Sequence, residues 1–178
     1  MNDKELEVFS NLKDVKVVFD IGARDDVEYI KLKPRAEYHL FEPNTEFFDK
    51  LKEKVGNKKN VYLNHFGLGD HNGDVVYYQN QQSFEGSEHP ELVGASAVYP
   101  MRRLDDYIEE NNIQSIDFLK IDTEGWDYGI IACSPKAVEI SRNIQYEYWD
   151  KREQFHKLLE DRFDMEYIGY RNVICRRR

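Results

Sequence analysis

Short apolar runs rich in β-branched residues alternate along this chain with charged segments of helical period. The runs predicted to be strands are residues 15–20, 38–41, 61–66, 116–121 and 143–149. The segments predicted to be helices are residues 4–13, 45–54, 104–111, 126–133 and 151–163. Strands and helices that alternate in this way favour a mostly parallel sheet with helices on both faces. We therefore expect an α/β architecture.

Two segments depart from the alternation. Residues 165–169 and 173–176 are separated by only a few residues, which is too short for a parallel crossover, so they are predicted to form an antiparallel hairpin. Residues 71–100 are predicted to be an insertion, in which Asn72-Gly73 marks a hairpin, residues 75–78 form a strand and residues 79–100 form a long surface loop. A loop of that length is suited to act as a lid that recognises the acceptor. Its polar candidates are Ser83, Glu85, Ser87, Ser96 and Tyr99.

Length and charge limit the classes of partner. The 178 residues suit one domain spanning residues 1–178, and 34 acidic against 25 basic residues give a net charge of −9. That sign disfavours nucleic acid, because neutralising phosphates requires an excess of basic residues. No apolar run reaches the roughly 20 residues of a membrane helix, and the first residues lack a secretory signal. We expect a cytoplasmic protein with reduced cysteines and no membrane or nucleic-acid partner; its oligomeric state is left open.

Acidic residues and glycines lie at or just beyond the end of each predicted strand, at the edge where parallel α/β sheets bind ligands. They are Asp20 and Gly22, Glu42, Gly67 to Asp70, Asp122 and Glu124, and Glu147. A glycine after the first strand lets the backbone approach a ligand closely. An acidic residue 22 positions after Asp20 is suited to hydrogen-bond ribose hydroxyls. The pattern therefore predicts a cofactor that contains a nucleoside.

The full dinucleotide fingerprint of three glycines is absent. Arg24 and Val27 occupy the positions of the later glycines, so little here would hold a pyrophosphate. S-adenosylmethionine carries ribose and adenine without phosphates and fits better. The alternative interpretation is that Gly22 forms a tight turn and Glu42 caps the helix that follows it.

Several motifs in order give the chain a resemblance to a known family. They are RLDDYI at residues 103–108, IDFLKIDTEG at 116–125, VFDIGA at 18–23, FEPN at 41–44, and Gly169-Tyr170 with Asn172-Val173-Ile174. This series resembles the FkbM-type methyltransferases over residues 17–176, which is nearly the whole chain. The resemblance implies a class I methyltransferase fold. That fold is Rossmann-like, with a seven-stranded, mostly parallel sheet, a C-terminal antiparallel hairpin and helices on both faces.

The resemblance also implies an S-adenosylmethionine-dependent O-methyltransferase and a set of residues that hold the cofactor. Those residues are Asp20, Gly22, Ala23 and Glu42, with Gly67 and Asp70 where adenine lies in this fold. Arg24 and Asp26 stand where the family usually has Asn and Gly. We therefore expect the Asp26 side chain to point away from the cofactor, or the turn to follow another course.

Lys120, Asp122 and Glu124 occupy alternate positions, so they are predicted to share one side of the strand end. Asp122 or Glu124 is a candidate base for the acceptor hydroxyl, and either could instead bind a divalent cation such as Mg²⁺. Glu147, at the end of the next strand, could bind the acceptor or complete a metal site with Asp122. The alternative is that a Lys–Glu pair only organises a buried strand end.

The leading hypothesis is a methyltransferase that acts on a hydroxyl of a sugar or glycan, an acceptor class suggested by the resemblance and by the acidic, polar site. One alternative is a methyltransferase of small molecules such as natural products. Another is a binding module that kept the fold and lost catalysis, which the altered turn at residues 24–26 would explain. An NAD-dependent oxidoreductase is disfavoured by the missing glycines.

Overall fold

The computed structural model describes residues 3–79, 84–86, 96–123, 125–149 and 151–178. The helices are α1 (Asp3–Asn11), α2 (Glu28–Leu32), α3 (Thr45–Val55), α4 (Leu104–Glu110), α5 (Asp127–Ala132), α6 (Pro135–Ile140) and α7 (Arg152–Leu159). The strands are β1 (Val17–Ile21), β2 (Glu37–Phe41), β3 (Val61–Asn64), β4 (Gly67–Gly69), β5 (Gly73–Gln79), β6 (Phe84–Gly86), β7 (Ser96–Arg103), β8 (Phe118–Ile121), β9 (Asn143–Glu147), β10 (Phe163–Tyr167) and β11 (Asn172–Arg177). No helix in these ranges is both long enough and apolar enough to cross a membrane.

The main sheet has seven strands in the order β3-β2-β1-β8-β9-β11-β10. The first five run parallel, and β11 is antiparallel to both β9 and β10. From β1 the chain builds outward to β3, then returns to place β8 on the other side of β1. This reversal creates a crevice between β1 and β8 at the carboxyl ends, where α/β folds bind ligands. The predicted seven-stranded sheet with its C-terminal hairpin is confirmed.

Alternate residues of the strands pack into two separate hydrophobic cores. On one face, Val18 and Phe118 are fully buried against α1, α2 and α3. On the other face, Phe19 and Leu119 are buried against α4, α5, α6 and α7. The period of two in a strand therefore explains why these strands are apolar on both sides, and it confirms helices on both faces.

A second sheet, in the order β4-β7-β5-β6, corrects the prediction for the insertion. Residues 96–100 belong to strand β7 and residues 84–86 to strand β6, so the predicted surface loop is wrong there. Val98 is exposed whereas Met101 is buried, which is the alternation of a strand, but Pro100 made the run look broken. Residues 80–83 and 87–95 lie outside the described residues.

Residues 67–73 also differ from the prediction. The sequence places Gly67 to Asp70 after the third predicted strand, but Gly67–Gly69 itself forms strand β4, which pairs in parallel with β7. Asn72-Gly73 was expected to form a tight hairpin, but β4 and β5 flank β7 and do not pair with each other. The sequence signal for a turn is local, whereas the strand that separates β4 from β5 comes more than 20 residues later.

Two short helices, α2 and α6, were not predicted. The α6 helix depends on a distant side chain, because the Asp105 carboxylate accepts hydrogen bonds from the backbone amides of Lys136 (3.0 Å) and Ala137 (2.9 Å). These amides belong to the first turn, whose donors have no partner within the helix. The helix predicted over residues 151–163 is shorter in the structure, because it ends at Leu159 and Phe163 begins β10.

Candidate active site

A buried ion pair links the two strands at the crevice. Asp20 of β1 and Lys120 of β8 are register partners, and the Lys120 Nζ lies 3.0 Å from the Asp20 Oδ1. The same ammonium group lies 3.4 Å from the Oδ2 of Asp122, whose side chain is 36% exposed. Lys120 therefore supports Asp122 from within the protein, and the predicted shared side of Lys120 and Asp122 agrees with this geometry.

Burial and charge act in opposite directions on this pair. Burial raises the pKa of Asp20 above its usual range, and the neighbouring ammonium group offsets this only in part. Burial would lower the pKa of Lys120, but attraction to Asp20 and Asp122 raises it well above its ordinary value. Lys120 therefore remains charged, which makes it unsuited to act as a base. A role for it in catalysis stays a prediction, and its place beneath Asp122 suits positioning.

The turn after β1 depends on Gly22. Its φ of +79° lies in the left-handed region, and a Cβ there would overlap the backbone carbonyl oxygen of Asp122. The amides of Gly22 and Ala23 both donate to the Phe41 carbonyl, at 3.0 and 3.1 Å. Gly22 therefore lets the ends of β1, β2 and β8 approach one another closely.

Glu42, just beyond β2, is held by the backbone. The amide of Arg24 donates to its Oε2 and the amide of Asn44 to its Oε1, both at 2.8 Å. A carboxylate has about four lone-pair directions, so these bonds leave each oxygen able to accept from a hydroxyl. Burial raises the pKa of Glu42 to about 7, although both backbone hydrogen bonds act against that rise.

The predicted alternative for Glu42, that it caps the following helix, does not match the geometry. The cap of α3 is Asn44, whose side-chain oxygen accepts from the amides of Glu46 (2.9 Å) and Phe47 (3.2 Å). Glu42 instead joins the turn after β1 to the start of α3. It is thus available at the edge where a ribose was predicted to bind.

The unusual turn residues contact the helices α2 and α3. The Oδ1 of Asp26 accepts from the Glu28 amide at 2.8 Å, at the start of α2. Arg24 has a φ of +50°, and its guanidinium lies 4.6 Å from the centre of the Phe47 ring. The Asp26 side chain therefore binds the first residue of α2, and its orientation relative to the cofactor stays a prediction.

Further candidate residues lie in or beside the second sheet. Gly67 is buried in β4, whereas Asp70 is exposed and lies 2.7 Å from the Nδ1 of His71. Tyr99 of β7 comes within hydrogen-bond range of the Thr45 amide, and it lies close enough to Glu42 for an electrostatic interaction with that carboxylate. Tyr99 had been predicted as a lid residue in a loop. The structure brings it, on a strand, beside the candidate ribose-binding carboxylate.

Sequence reasoning missed Asp127, a buried carboxylate at the start of α5. It accepts from the Thr123 amide (3.1 Å), the Thr123 hydroxyl (2.6 Å) and the Glu147 amide (3.0 Å). Asp127 therefore joins the loop after β8 to the end of β9. Burial raises its pKa to about 7. The available signal was an acidic residue in the first helical turn after the strand-end motif.

The predicted metal site pairs Asp122 with Glu147. Ile121 pairs with Tyr146, so Asp122 and Glu147 follow neighbouring strands at the same level. Glu124 lies outside the described residues. Across the described ranges, which omit Glu124, no group of three or more His, Cys, Asp or Glu residues is arranged to hold a metal ion. A Mg²⁺ site at Asp122 and Glu147 stays a prediction.

Two curated relatives are similar to this chain. One is the 2-O-methyltransferase NoeI of Sinorhizobium fredii, 24% identical, with 76% of this chain and 64% of NoeI covered. The other is the hexuronic acid methyltransferase AglP of Haloferax volcanii, 20% identical, with 69% of this chain and 52% of AglP covered. The chain thus spans between about half and two thirds of the length of these relatives.

A solved structure and a family model complete the comparison. SMU.1697c of Streptococcus mutans, solved in complex with SAH, is 12% identical and has a TM-score of 0.62, with 98% of this chain and 96% of that chain covered. At that identity the similarity shows the fold alone. The model of the methyltransferase FkbM domain matches residues 20–171, which include the turn after β1, the β8 strand end and strand β10. This chain therefore belongs to the methyltransferase FkbM domain family.

Proposed function

We propose that this protein is an S-adenosylmethionine-dependent O-methyltransferase that methylates a hydroxyl of a sugar or glycan. The observation that carries the proposal is the placement of Glu42. Its carboxylate is fixed by two backbone amides at the switch point of a class I sheet, beside the Gly22 turn. A vicinal diol is the group best matched to a carboxylate with one open lone pair on each oxygen.

The donor set at the crevice fits the proposed cofactor. Asp20, Glu42 and Asp122 all lie at the carboxyl ends of β1, β2 and β8, where negative charge favours a cationic ligand. When bound, S-adenosylmethionine would supply a methyl group activated by a sulfonium charge. Gly22 and Ala23 provide the close backbone surface, and Glu42 accepts hydrogen bonds from the ribose hydroxyls. Asp70 and Gly67 are the candidates to lie beside the adenine of the cofactor.

Asp122 is the residue proposed to take the acceptor proton. Its carboxylate is partly exposed and is held by Lys120 at 3.4 Å, so it is both reachable and oriented. A sugar hydroxyl must lose its proton as its oxygen gains the methyl group, so the base must lie within hydrogen-bond reach of it. Glu147, on the neighbouring strand, is the candidate to bind the acceptor. Glu124 is the alternative base.

The acceptor class is supported by the relatives and by the character of the site. NoeI is named a 2-O-methyltransferase and AglP a hexuronic acid methyltransferase. The name of NoeI states that an oxygen is methylated, and the name of AglP states that the acceptor is a sugar acid. A polar, acidic edge suits a hydroxylated acceptor. A small natural product is the alternative acceptor.

Cofactor binding is the first test. Calorimetry with S-adenosylhomocysteine should give a micromolar dissociation constant, and Glu42→Ala should weaken it at least tenfold, because charge-assisted hydrogen bonds are worth about 1.5–3 kcal/mol. Asp122→Ala should bind S-adenosylhomocysteine normally. No binding to the unaltered protein would overturn the enzyme proposal, and binding of NADH in its place would favour an oxidoreductase.

Turnover is the second test. A screen of sugars and oligosaccharides with a methyl-labelled donor should find an acceptor that becomes labelled on oxygen. Asp122→Ala should abolish labelling while it keeps cofactor affinity, and adding EDTA tests the Mg²⁺ prediction separately. If Asp122→Ala and Glu42→Ala both turned over normally, the site assignment would be wrong.

A further inference from the structure

Exposed aromatic rings cluster at the carboxyl edge of the sheet, beyond β9 and in the β10–β11 turn. Trp149 is 46% exposed, Tyr167 is 43% exposed and Tyr170 is 86% exposed. Large exposed aromatic groups that gather in one place mark a binding surface more often than scattered ones do. The cluster is named here the aromatic–arginine platform, and its members are Tyr148, Trp149, Arg152, Tyr167, Tyr170 and Arg171.

Two arginines lie over these rings. The guanidinium carbon of Arg171 is 4.0 Å from the centre of the Trp149 ring, and that of Arg152 is 4.4 Å from the centre of the Tyr167 ring. A guanidinium over a ring keeps N–H groups available at its rim, which match a carboxylate in a two-pronged hydrogen bond. The stacking therefore orients both arginines without neutralising their charge.

Within the described ranges, neither Arg152 nor Arg171 forms a salt bridge. Arg102, Arg142, Arg176 and Arg178 each pair with a carboxylate of this chain, whereas Arg24 and Arg177 lie over aromatic rings as Arg152 and Arg171 do. A chain with a net charge of −9 offers many acidic partners, yet Arg152 and Arg171 pair instead with aromatic rings. An anionic ligand would be repelled by most of the surface and attracted here.

The platform lies beside the proposed base. The Tyr148 amide donates to the Arg171 carbonyl at 3.0 Å, which extends the β9–β11 pairing just beyond Glu147. The Tyr148 hydroxyl donates to the Tyr170 carbonyl at 3.2 Å, so the turn is fixed to β9. Neighbouring strands lie about 4.8 Å apart, which puts β9 and β11 about 5 and 10 Å along the edge from Asp122. A sugar unit attached to the reacting one would therefore extend over β9 and β11.

We propose that the aromatic–arginine platform binds a uronic acid residue of the acceptor glycan, an inference that rests on the proposed function. The pyranose C–H bonds would lie on the negative faces of Trp149 and Tyr170. The sugar carboxylate would pair with Arg171 and Arg152. The acceptor of this enzyme is therefore an acidic oligosaccharide.

A matched pair of ligands tests the charge. The probes are an oligosaccharide ending in glucuronic acid and its carboxyl-reduced counterpart ending in glucose, titrated into the full chain loaded with S-adenosylhomocysteine. The glucuronic acid form should bind about tenfold more tightly, and the double variant Arg152→Gln/Arg171→Gln should remove that preference. Trp149→Ala should weaken both ligands by a similar factor, because it removes the stacking surface.

The matched control is the double variant Arg176→Gln/Arg178→Gln, which also removes two positive charges but at the opposite edge of the sheet, where Arg176 pairs with Glu166 and Arg178 with Asp164. It should leave the preference unchanged. Equal binding of the two oligosaccharides, or an equal loss in the control, would overturn the proposal. A dimer in sedimentation velocity that Trp149→Ala dissociates would assign the surface to a second copy and also overturn it. If the unaltered protein kept its preference for the glucuronic acid form but did not bind S-adenosylhomocysteine, that result would count against the proposed function.

Discussion

The ammonium group of Lys120 lies 3.0 Å from the Asp20 carboxylate, and the two side chains are only 5% and 3% exposed. Such a pair joins neighbouring strands across the crevice. Its desolvation cost is large, so the attraction between the charges does not by itself stabilise the fold. What the pair fixes is the position of Asp122, which shares the same ammonium group.

Removing one partner should be severe. Lys120→Met leaves the Asp20 carboxylate buried without a counter-charge, and the free energy of unfolding should fall by about 3–5 kcal/mol in urea denaturation. The double variant Lys120→Met/Asp20→Asn should recover much of that loss. The exposed pair of Lys50 with Glu46 is the control, and Lys50→Met should leave the urea midpoint unchanged. An equally small effect of Lys120→Met would contradict this account of the pair.

The stability of the unaltered protein should fall as the pH rises from 5 to 8. Glu42 and Asp127 both have a pKa raised to about 7 by burial, against ordinary values of 4.5 and 3.8. A group with a raised folded pKa contributes stability below its unfolded pKa and loses it as pH rises through the folded value. Each group should contribute a slope of up to about −1.4 kcal/mol per pH unit near pH 6.

Urea denaturation at pH 5.5, 6.5 and 7.5 measures that slope. The variants Glu42→Gln and Asp127→Asn each remove one titrating group, so each should flatten the dependence. If neither variant changed the slope, the raised pKa of Glu42 and of Asp127 would both be contradicted.

Gly22 should not tolerate a side chain. Gly22→Ala places a Cβ against the Asp122 carbonyl at a φ of +79°, so the ends of β1 and β8 must separate. We expect a loss of at least about 2 kcal/mol of stability and at least tenfold weaker S-adenosylhomocysteine binding. Gly129 of α5 is the matched control, because a Cβ there meets no atom within 4 Å. Gly129→Ala should bind normally, with stability unchanged or slightly higher.

The sequence predicted those parts of the site that local patterns determine. The main strands have a period of two and end at acidic residues, and the motif around Lys120 and Asp122 identified both the family and the strand edge. Asp20, Glu42 and Asp122 were selected for that reason, and the structure places all three at the carboxyl ends of neighbouring strands.

The remaining features depend on contacts between distant residues. Strand β7 was missed because β4 and β5 become its partners only in the folded chain, and Pro100 concealed its alternation. The roles of motif residues were also hidden. Asp105 binds the first turn of α6, and Asp117 accepts from the amides of Lys16 (2.8 Å) and Val17 (3.0 Å). A sequence motif indicates which residue types matter, but it does not show which backbone amides their side chains bind.

Asp127 should hold the loop that carries Asp122, and hydrogen exchange can test this without an acceptor. Asp127→Ala removes the partner of the Thr123 and Glu147 amides, so these two amides should exchange at least tenfold faster. The exchange rates of amides in the centre of β8 should change only as far as the global stability changes. Asp105→Ala is the matched control, because it should expose the amides of Lys136 and Ala137 and leave Thr123 protected. If both variants changed the same amides, the effect would be global unfolding, and the positioning role of Asp127 would be rejected.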